Sequence, residues 1–439
     1  MRPSIPSKRN PLFYAVFVTM ALGLLTQSAF ATNGYFRHGY GVKYSAFGGV
    51  SGAFAFSTLT IANNPAGLAF IGHRYDVGLA LFSPNRNYTV NGAPSGFPGT
   101  FGLTPATVES DSKAFPIPTI GAAWQLNETV SLGVALFANG GMNTNYGTNT
   151  FYGSNRTGVD LAQMFLAPTL AIKLGPNVAI GLTPLAAYQR FEAKGLEAFA
   201  PMSRDATKLS NNGHDNSFGV GGKIGFMGHL NRFISVGAFY QTKVNMSKFD
   251  QYSGLFAQEG DFDIPSNWTI GLALTPTPKF SLGFDVQEIY YTDVKSVSSR
   301  MDVRTLSPVL PDGHTPNPLF EPLGSENCAG FGWQDMTIYK FGLKLDPGKT
   351  LSILSGFSFG DQPIPNTEVL FNILAPGVIQ SHLTFGLVKK LAFGRELSFS
   401  VAHAFSHKIT GANPLDAPGA ENITLKMYQW DFELGYSFR

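Results

Sequence analysis

The sequence is poor in charge, in cysteine and in long apolar runs. Asp, Glu, Lys and Arg make up only 14% of the 439 residues, and the formal net charge is +2. This balance disfavours a nucleic-acid partner, which would require a basic surplus, and it disfavours disorder, which requires high charge and few aromatics. Because Cys328 is the only cysteine, the chain cannot form an internal disulfide.

No stretch after the N terminus approaches the roughly 18 consecutive apolar residues of a membrane helix, so a helical membrane protein is excluded. Residues 1–31 predict a signal peptide, because Arg2, Lys8 and Arg9 precede a short apolar stretch and Ala29–Ala31 ("AFA") has the small-x-small form of a cleavage site. An N-terminal membrane anchor is the alternative. An exported chain can still enter a bilayer as a closed barrel, because a closed sheet satisfies every backbone group in lipid.

Catalytic motifs are also scarce. There is no phosphate-binding loop and no HExxH. The string "GFSFG" at 356–360 matches an esterase nucleophile elbow, but it lies inside an alternating strand rather than on a strand–turn–helix. His403 and His407 would be more than about 12 Å apart on a strand, too far for one metal ion. We therefore predict no enzyme activity, no metal and no cofactor; a lipid hydrolase, a weaker alternative, depends on where Ser358 points.

What the sequence has in abundance is aromatic residues, at 13%, in alternating patterns. In 426–438 large apolar side chains occupy nearly every second position and polar residues lie between them, which on a strand creates two different faces. The same period of two predicts an all-β chain of fourteen antiparallel strands, most of them longer than usual. The predicted strands are 73–90, 114–126, 129–142, 159–174, 177–192, 215–230, 233–247, 263–274, 279–293, 335–346, 350–361, 379–390, 395–410 and 424–438.

The joins between these strands alternate in length. Short joins follow even-numbered strands and long joins follow odd-numbered ones, which is the plan of an outer-membrane barrel with both termini on the periplasmic side. We therefore predict that 73–439 forms a transmembrane β-barrel in the bacterial outer membrane. The aromatic Phe438 is of the kind that the barrel-assembly machinery reads, although Arg439 follows it. A general diffusion porin, a structural outer-membrane protein and a secreted all-β protein are the alternatives.

Residues 32–72 do not fit a strand. They combine small residues with helix-length apolar patches and contain the turn sequence "ANNPAGLAF" at 62–70. A fourteen-stranded barrel has a lumen wider than its own side chains can fill. We therefore predict that this N-terminal block forms a small helical hatch that plugs the barrel; a disordered leader is the alternative.

The export signal, the N-terminal block and the fourteen predicted strands together resemble the FadL family of outer-membrane transporters for long-chain fatty acids and other hydrophobic compounds. Asn64, Pro65 and Ala66, followed by Gly67, are similar to the NPA element of that family's hatch. The "NTNYG" at 143–147 is similar to the place where its third strand kinks inward and opens the barrel wall. The resemblance implies a lateral exit at this kink. The residues assigned to it are Gly140, Gly141, Asn145, Tyr146 and Gly147.

The resemblance also implies where cargo would bind. A hydrophobic groove between the outer loops would use Phe151, Tyr152, Leu196 and Phe199, and ordinary loop packing is the alternative. Arg190 is the candidate cation for a carboxylate head, unless it only pairs with Glu192. Phe36 is similar to an aromatic residue that relatives place near the bound chain. Each of these roles is an expectation from the family.

The function that follows is passive uptake of a long-chain fatty acid or similar hydrophobic small molecule. Cargo would bind at the outer loops, pass to an apolar pocket beside the hatch and leave sideways. The expected partners are this cargo, outer-membrane lipid with lipopolysaccharide, and the assembly machinery during biogenesis. The family implies a single barrel, hence a monomer. The sequence does not distinguish fatty acid from hydrocarbon, because both depend on the same apolar burial.

Overall fold

A computed structural model describes residues 33–310 and 312–439, so the predicted signal peptide lies outside the described part. Fourteen antiparallel strands form a closed barrel, and β14 pairs with β1 from Tyr75–Phe438 to Gly92–Glu421. The strands are β1 (Arg74–Gly92), β2 (Phe115–Gln125), β3 (Val130–Asn145), β4 (Gly158–Gly175), β5 (Val178–Lys194), β6 (Asp215–His229), β7 (Ile234–Gln241), β8 (Asn267–Thr277), β9 (Phe280–Ile289), β10 (Met336–Leu345), β11 (Leu351–Gly360), β12 (Ser381–Lys390), β13 (Glu396–Ala412) and β14 (Glu421–Phe438).

The predicted strand count and barrel closure are confirmed. The largest difference in length is at β7, predicted to reach 247, which ends at Gln241 before the chain enters a long loop. One short strand, Ala106–Glu109, is not predicted from the sequence and extends the sheet beside β1; Asn245–Met246, inside the predicted strand 233–247, forms a separate short strand that pairs with β6. Both lie in long joins between barrel strands.

The helices are short and lie in the N-terminal block and in the joins. The α-helices are α1 (Val42–Ala46), α2 (Ala257–Gly260), α3 (Lys295–Ser298) and α4 (Val303–Leu306). The 3-10 turns are Thr58–Ile61, Pro65–Phe70, Glu197–Met202, Ala206–Lys208, Asp250–Tyr252, Tyr291–Asp293, Asn366–Glu368, Phe371–Ile373 and Ala392–Gly394. Among the described residues, no helix is both long and apolar enough to span a membrane.

Alternation decides which side chains face outward. On β14, Trp430 and Leu434 are exposed on the outer face, whereas Asp431 and Glu433 are buried on the inner face. The buried carboxylates bind the cation Arg37 of the N-terminal block, at 2.9 Å for Asp431. A polar inner face and an apolar outer face are what a barrel in lipid requires.

The N-terminal block, described from residue 33 to residue 72, lies inside the barrel and contacts the inner faces of its strands. A glycine on each of twelve strands lies against it, and at four of them, Gly181, Gly237, Gly271 and Gly356, strand backbone approaches the backbone of the block. A Cβ at Gly237 would lie 1.9 Å from the carbonyl oxygen of Gly52, and one at Gly356 would lie 2.2 Å from the amide nitrogen of Gly48. The twelve glycines are Gly78, Gly121, Gly133, Gly181, Gly225, Gly237, Gly271, Gly283, Gly342, Gly356, Gly386 and Gly435.

Long joins fold over and into the opposite end of the lumen. The join between β11 and β12 carries buried Val369 and Ile373, and the hydroxyl of Tyr146 donates a 2.7 Å hydrogen bond to the carbonyl of Ile373. The Trp333 indole donates to the side chain of Asn372 at 2.6 Å. Apolar side chains from several joins therefore meet above the N-terminal block.

Candidate functional site

An apolar cavity, open on one side, lies among these joins, and its interior together with the solvent-filled mouth encloses about 570 Å³. Its walls come from the joins that follow β3, β5, β7, β9 and β11, together with the ends of β4 and β5. No charged side chain occurs among the described residues that line it. The lining residues are Phe151, Val159, Phe191, Leu196, Phe199, Leu209, Leu255, Phe256, Ala257, Ser296, Leu323, Ala329, Gly330, Phe331, Phe371 and Leu374.

Three of the four loop residues singled out from the sequence meet at this cavity. Phe151, Leu196 and Phe199 are buried, and the rings of Phe151 and Phe199 are 5.4 Å apart. Tyr152 does not join them: its side chain is 53% exposed and donates a hydrogen bond from its hydroxyl to the carbonyl of Gly102. Its backbone has φ +57°, in the left-handed region that residues other than glycine seldom adopt, so the loop turns at this residue.

Other lining residues were missed by sequence reasoning. Phe256, Phe331 and Phe371 come from three different joins, and their neighbours in the sequence show no pattern that brings them together. An excess of phenylalanine over charge in the long joins was the available signal. It indicates apolar surface, but it does not tell which rings converge.

A chain of aromatic rings leads from the cavity toward the N terminus. Phe191 lies 4.7 Å from Phe256, which lies 4.9 Å from Phe262. Phe262 lies 6.4 Å from Tyr35, and Tyr35 lies 5.4 Å from Phe36. These centroid distances are those of aromatic rings in contact. A continuous row of packed aromatic rings therefore connects the cavity to the predicted ligand residue Phe36.

Phe36 sits at a break in the barrel wall. Pairing between β2 and β3 stops at Thr119–Phe137, and a bulge follows at Asn139. Beyond Phe137 the alternation on β3 disappears, because every residue from 137 to 144 is buried. A strand buried on both faces has left the lipid-facing wall and entered the lumen. The upper half of β3 thus bends inward, leaving a break that we term the window.

Residues 35–37 of the N-terminal block close the window from inside. The amide of Gly141 donates to the carbonyl of Tyr35 at 3.1 Å, the amide of Arg37 donates to the carbonyl of Asn139 at 3.3 Å, and Phe36 forms a bridge with Gly140. Residues 35–37 therefore take the place beside β3 that β2 vacates, which satisfies an otherwise open strand edge.

The remaining residues assigned to the exit lie at its outer border. Tyr146 forms a bridge with Ser110, and the backbone amide of Asn145 donates to the Ser110 hydroxyl at 3.0 Å. Between Phe137 and this bridge, about 25 Å of the β3 edge lacks pairing with β2. Gly147 lies past the bridge on the exposed loop, so it does not line the window.

The prediction that the Arg190 side chain points into the lumen is wrong. On β5 the buried inner positions are Gln189 and Phe191, and Arg190 shares the outer face with the exposed Leu182. Its guanidinium lies 3.3 Å from Asp160 on the outer face of β4. Alternation on the strand directs it away from the lumen, so it cannot hold a carboxylate inside the barrel.

The "NPA" element has a well-defined structural role. The Asn64 side chain accepts from the amide of Ala66 at 3.1 Å and caps the 3-10 turn Pro65–Phe70. Its amide nitrogen donates to the carbonyls of Gly52 and of Phe226 on β6, at 2.6 and 2.8 Å. One buried side chain thus caps the turn, closes the block on itself and fixes it to the wall.

Ser358 of the "GFSFG" string points into the lumen and is fully buried. Its hydroxyl lies 3.2 Å from Nδ1 of His382, whose Nε2 lies 3.5 Å from the amide of Gln429. A nucleophile elbow would require an exposed serine on a sharp turn, with a carboxylate orienting the histidine. Here an amide occupies the carboxylate's position and the serine lies on a strand.

Beside the cavity, one acidic residue has a raised pKa. Burial, together with the neighbouring carboxylate of Asp263, raises the pKa of Asp261 to about 6. Asp261 directly precedes Phe262 of the aromatic chain, and the Ser296 hydroxyl donates to its backbone carbonyl. The loop that carries part of the cavity wall therefore has a proton-dependent charge.

Comparison with known proteins gives a consistent result. The model of a family described as outer membrane protein transport protein (OMPP1/FadL/TodX) matches residues 23–374. The crystal structure of the toluene transporter TodX of Pseudomonas putida is 16% identical with a TM-score of 0.65, covering 92% of this chain and 99% of that one. No curated protein matches this chain.

Two further crystal structures share the fold. A FadL homologue of Pseudomonas aeruginosa is 13% identical with a TM-score of 0.64, covering 94% of this chain and 99% of that one. The toluene transporter TbuX of Ralstonia pickettii is 15% identical with a TM-score of 0.60, covering 92% and 98%. With a closed fourteen-stranded barrel and a family match over most of its length, the protein belongs to the OMPP1/FadL/TodX family of outer-membrane transport proteins.

Proposed function

We propose that the protein carries small neutral hydrophobic molecules, of the size class of monoaromatic hydrocarbons, passively across the outer membrane. Cargo binds in the apolar cavity, follows the aromatic chain and leaves sideways through the window when residues 35–37 move. The observation that carries this proposal is an uncharged cavity joined by contacting rings to a break in the wall that residues 35–37 cover.

The cavity lining favours neutral cargo over fatty acid. Its lining contains aromatic and aliphatic side chains and one serine, and Arg190 faces outward, so a carboxylate head would be buried without a cation. An unpaired buried charge is strongly unfavourable. Burying about seven carbon groups would contribute roughly 5–6 kcal/mol, a Kd near 0.1 mM. That affinity is weak enough for cargo to move on.

The close packing of the N-terminal block against the barrel strands favours a sideways exit. Straight passage to the periplasm would require the block to leave a seat where Gly52 and Gly48 touch strand backbones. The window is closed by a short segment, residues 35–37, whose backbone makes two hydrogen bonds to β3 and whose Arg37 is also held by Asp431 and Glu433. Diffusion down a concentration gradient then needs no energy source.

The relatives are consistent with this cargo class. TodX and TbuX are toluene transporters, and CymD, at 15% identity and a TM-score of 0.56, is a monoaromatic hydrocarbon channel. Their likeness to this chain extends to the fold, and the uncharged cavity supplies the chemical argument for similar cargo.

The test is a disulfide that fastens the window. Phe36 and Gly140 are bridge partners, and such pairs have Cα separations within disulfide range. In Phe36→Cys/Gly140→Cys, we expect oxidation to lower toluene uptake into cells lacking their own channel at least about tenfold, the loss expected if 1.4 kcal/mol or more is added to opening. Reduction should restore it. Burial raises the pKa of the Cys328 thiol to about 11, so it stays out of the exchange.

Ala122→Cys/Val134→Cys is the matched control, because these residues already pair below the window and the bond restrains nothing that must move. Equal toluene uptake by the oxidised and reduced window variant would contradict lateral exit. Uptake of a fatty acid in preference to toluene would contradict the neutral cargo. A general porin would pass a small sugar, and a structural protein would pass neither; both results would reject the proposal.

A further inference from the structure

Two lysines of the same charge face each other on the outside of the barrel. Lys408 on β13 and Lys426 on β14 are directly opposite in the strand register, and both are exposed on the outer face. Like charges placed opposite each other destabilise a sheet. A bulge between Ala404 and His407 sets the register that aligns them. The sheet keeps this pair although a one-residue difference in the bulge would separate it.

Neither lysine has an acidic partner among the described residues. The carboxylates Glu421, Asp431 and Glu433 of the same strand all face inward and are buried. Glu109 lies two strands from Lys426, across Asn87, and is bound by Lys113 at 2.9 Å.

Other cations at this rim of the barrel differ in this respect. Lys194 lies 2.9 Å from Glu192, and Lys243 lies 2.8 Å from Asp263. The rim therefore usually neutralises its lysines within the protein. The pair on β13 and β14 is left for a negative charge from outside.

The height of the pair on the barrel indicates what that charge is. From Phe438 to Lys426 the strand rises by twelve residues, about 40 Å along its own axis and roughly 30 Å along the membrane normal at the usual tilt. The apolar band of such barrels is about 25 Å tall. The lysines therefore lie just beyond the hydrocarbon, at the level of the outer-leaflet headgroups.

The neighbours of the pair suit a lipid that is apolar below and polar above. Toward the membrane centre, Tyr428 and Trp430 are exposed on the same face of β14. On the other side, the hydroxyls of Thr410 and Thr424 form a 2.9 Å hydrogen bond at the surface. Aromatic rings, two cations and hydroxyl groups thus follow one another at the depths of acyl chains, phosphates and sugars.

We propose that Lys408 and Lys426 bind the phosphate groups of lipid A, the phosphorylated glycolipid of lipopolysaccharide in the outer leaflet. This site lies on the lipid-facing wall and does not depend on the cargo proposal. A phosphate between the two ammonium groups turns their repulsion into attraction, and charge-assisted hydrogen bonds to phosphate are among the stronger ones.

The test uses full-length protein, freed of lipopolysaccharide in detergent, and lipid A with or without its phosphates. Each lysine near an anionic surface contributes about a fivefold gain in affinity, so Lys408→Gln/Lys426→Gln should bind phosphorylated lipid A roughly 30-fold more weakly. Lys408→Arg/Lys426→Arg should retain binding. The control Lys389→Gln/Lys390→Gln makes the same change at exposed positions at the opposite end of the barrel and should bind like the unaltered protein.

Heat unfolding without lipid A gives a second measurement, in which the glutamine substitutions are expected to stabilise the protein although they weaken lipid A binding. Without lipid A, the glutamine pair should unfold at a higher temperature than the unaltered protein, because repulsion is removed. With phosphorylated lipid A, only the unaltered protein should gain stability. The proposal is overturned if the glutamine pair binds lipid A unchanged, if dephosphorylated lipid A binds equally well, or if phosphatidylglycerol binds as tightly as lipid A.

Discussion

The two ends of the lumen are both filled by the protein's own chain, yet they are filled in different ways. At the lower end, the N-terminal block meets glycines on twelve strands and leaves no room for a Cβ at Gly237 or Gly356. At the upper end, aromatic side chains from five joins surround an apolar cavity that is open on one side. The lower end is closed by tight packing of the block against strand glycines, whereas the upper end is lined by side chains around a cavity.

The chemistry of the two ends differs as well. The block is held by charged and polar contacts, such as the amides of Ser51 and Gly52 donating to Asp285 at 2.7 and 2.9 Å. The cavity lining is almost entirely apolar. Directional contacts hold one geometry, whereas apolar contacts tolerate a change of occupant. The comparison therefore supports the proposal that cargo is accommodated above the block and leaves through the wall beside it.

The largest effect is expected from a substitution that disrupts the packing of the N-terminal block at the lower end. Gly237→Val would place a side chain against the carbonyl oxygen of Gly52, 1.9 Å from the position of its Cβ. Overpacking of this kind costs about 3 kcal/mol or more. We expect the block to leave its seat, so that large ion conductance appears in planar bilayers and the barrel unfolds at a lower temperature.

Gly222→Val serves as the control for that substitution. Gly222 lies on the neighbouring strand β6, and a Cβ there meets nothing closer than the Thr183 carbonyl at 3.9 Å. This variant should remain closed and stable. A Gly237→Val protein that stays closed would show that the block adapts, and the contrast between the two ends would fail.

The second prediction changes the chemistry of the upper end. Leu323→Lys places an ammonium group in the lining of the cavity, where Leu323 is 3% exposed. A desolvated cation disfavours neutral cargo, and it supplies the partner that a carboxylate lacks. We expect toluene uptake to fall about tenfold, equivalent to 1.4 kcal/mol, and binding of a fatty acid to rise.

Leu319→Lys makes the same change at a position of the same join that is 61% exposed. Uptake by this control should match the unaltered protein, as measured with labelled toluene in the same cells. If Leu323→Lys takes up toluene normally, cargo does not pass through this cavity.

A smaller effect is expected from a change of size alone. The ring of Phe199 lies 5.4 Å from Phe151 and 5.5 Å from Phe371 at the cavity wall. Phe199→Leu frees about one methylene of space, worth roughly 0.8 kcal/mol, so the uptake of naphthalene relative to toluene should rise about fourfold. Tyr152→Leu, at the neighbouring exposed ring, should leave the ratio unchanged. A fixed ratio in Phe199→Leu would argue against size selection at this wall.

The sequence was sufficient for the barrel because strand alternation is local. The aromatic positions of β14 alone predict its outer face, and the short joins predict which rim is periplasmic. The block was predicted from composition, but its glycine seat was not, because Gly237 and Gly52 are far apart in the chain and only closure of the barrel brings them together.

For the site, prediction from the sequence succeeded for residues in apolar joins. It failed where the position of a residue along its strand decides which face of the sheet its side chain occupies. Phe151, Leu196 and Phe199 belong to apolar joins and converge as expected. Arg190 was assigned to the lumen from resemblance alone, whereas its position one residue after the buried Gln189 directs it outward. Alternation counted from Leu182 along β5 gives the outward direction of Arg190, because the two residues are an even number of positions apart.

The smallest effect is expected from protonation of Asp261, which lies beside the cavity. Burial and Asp263 raise the pKa of Asp261 to about 6 in the folded protein, above a value of about 4 in an unfolded chain. The folded state therefore holds an extra proton between these values. The stability that this group contributes is complete below about pH 4 and is lost as the pH rises through about 6. Lys243 and Lys248 nearby oppose the shift without cancelling it.

Asp261→Asn keeps this position neutral at every pH. We expect the unaltered protein to unfold at a slightly lower temperature at pH 8 than at pH 5, by on the order of 1 °C, and the variant to lose this part of the pH dependence. Asp250→Asn makes the same change at an exposed position of the same loop and should keep it. Thermal unfolding followed by circular dichroism measures all three. An Asp261→Asn protein with unchanged pH dependence would mean that the proton resides elsewhere, and that the loop beside Phe262 does not couple charge to the cavity wall.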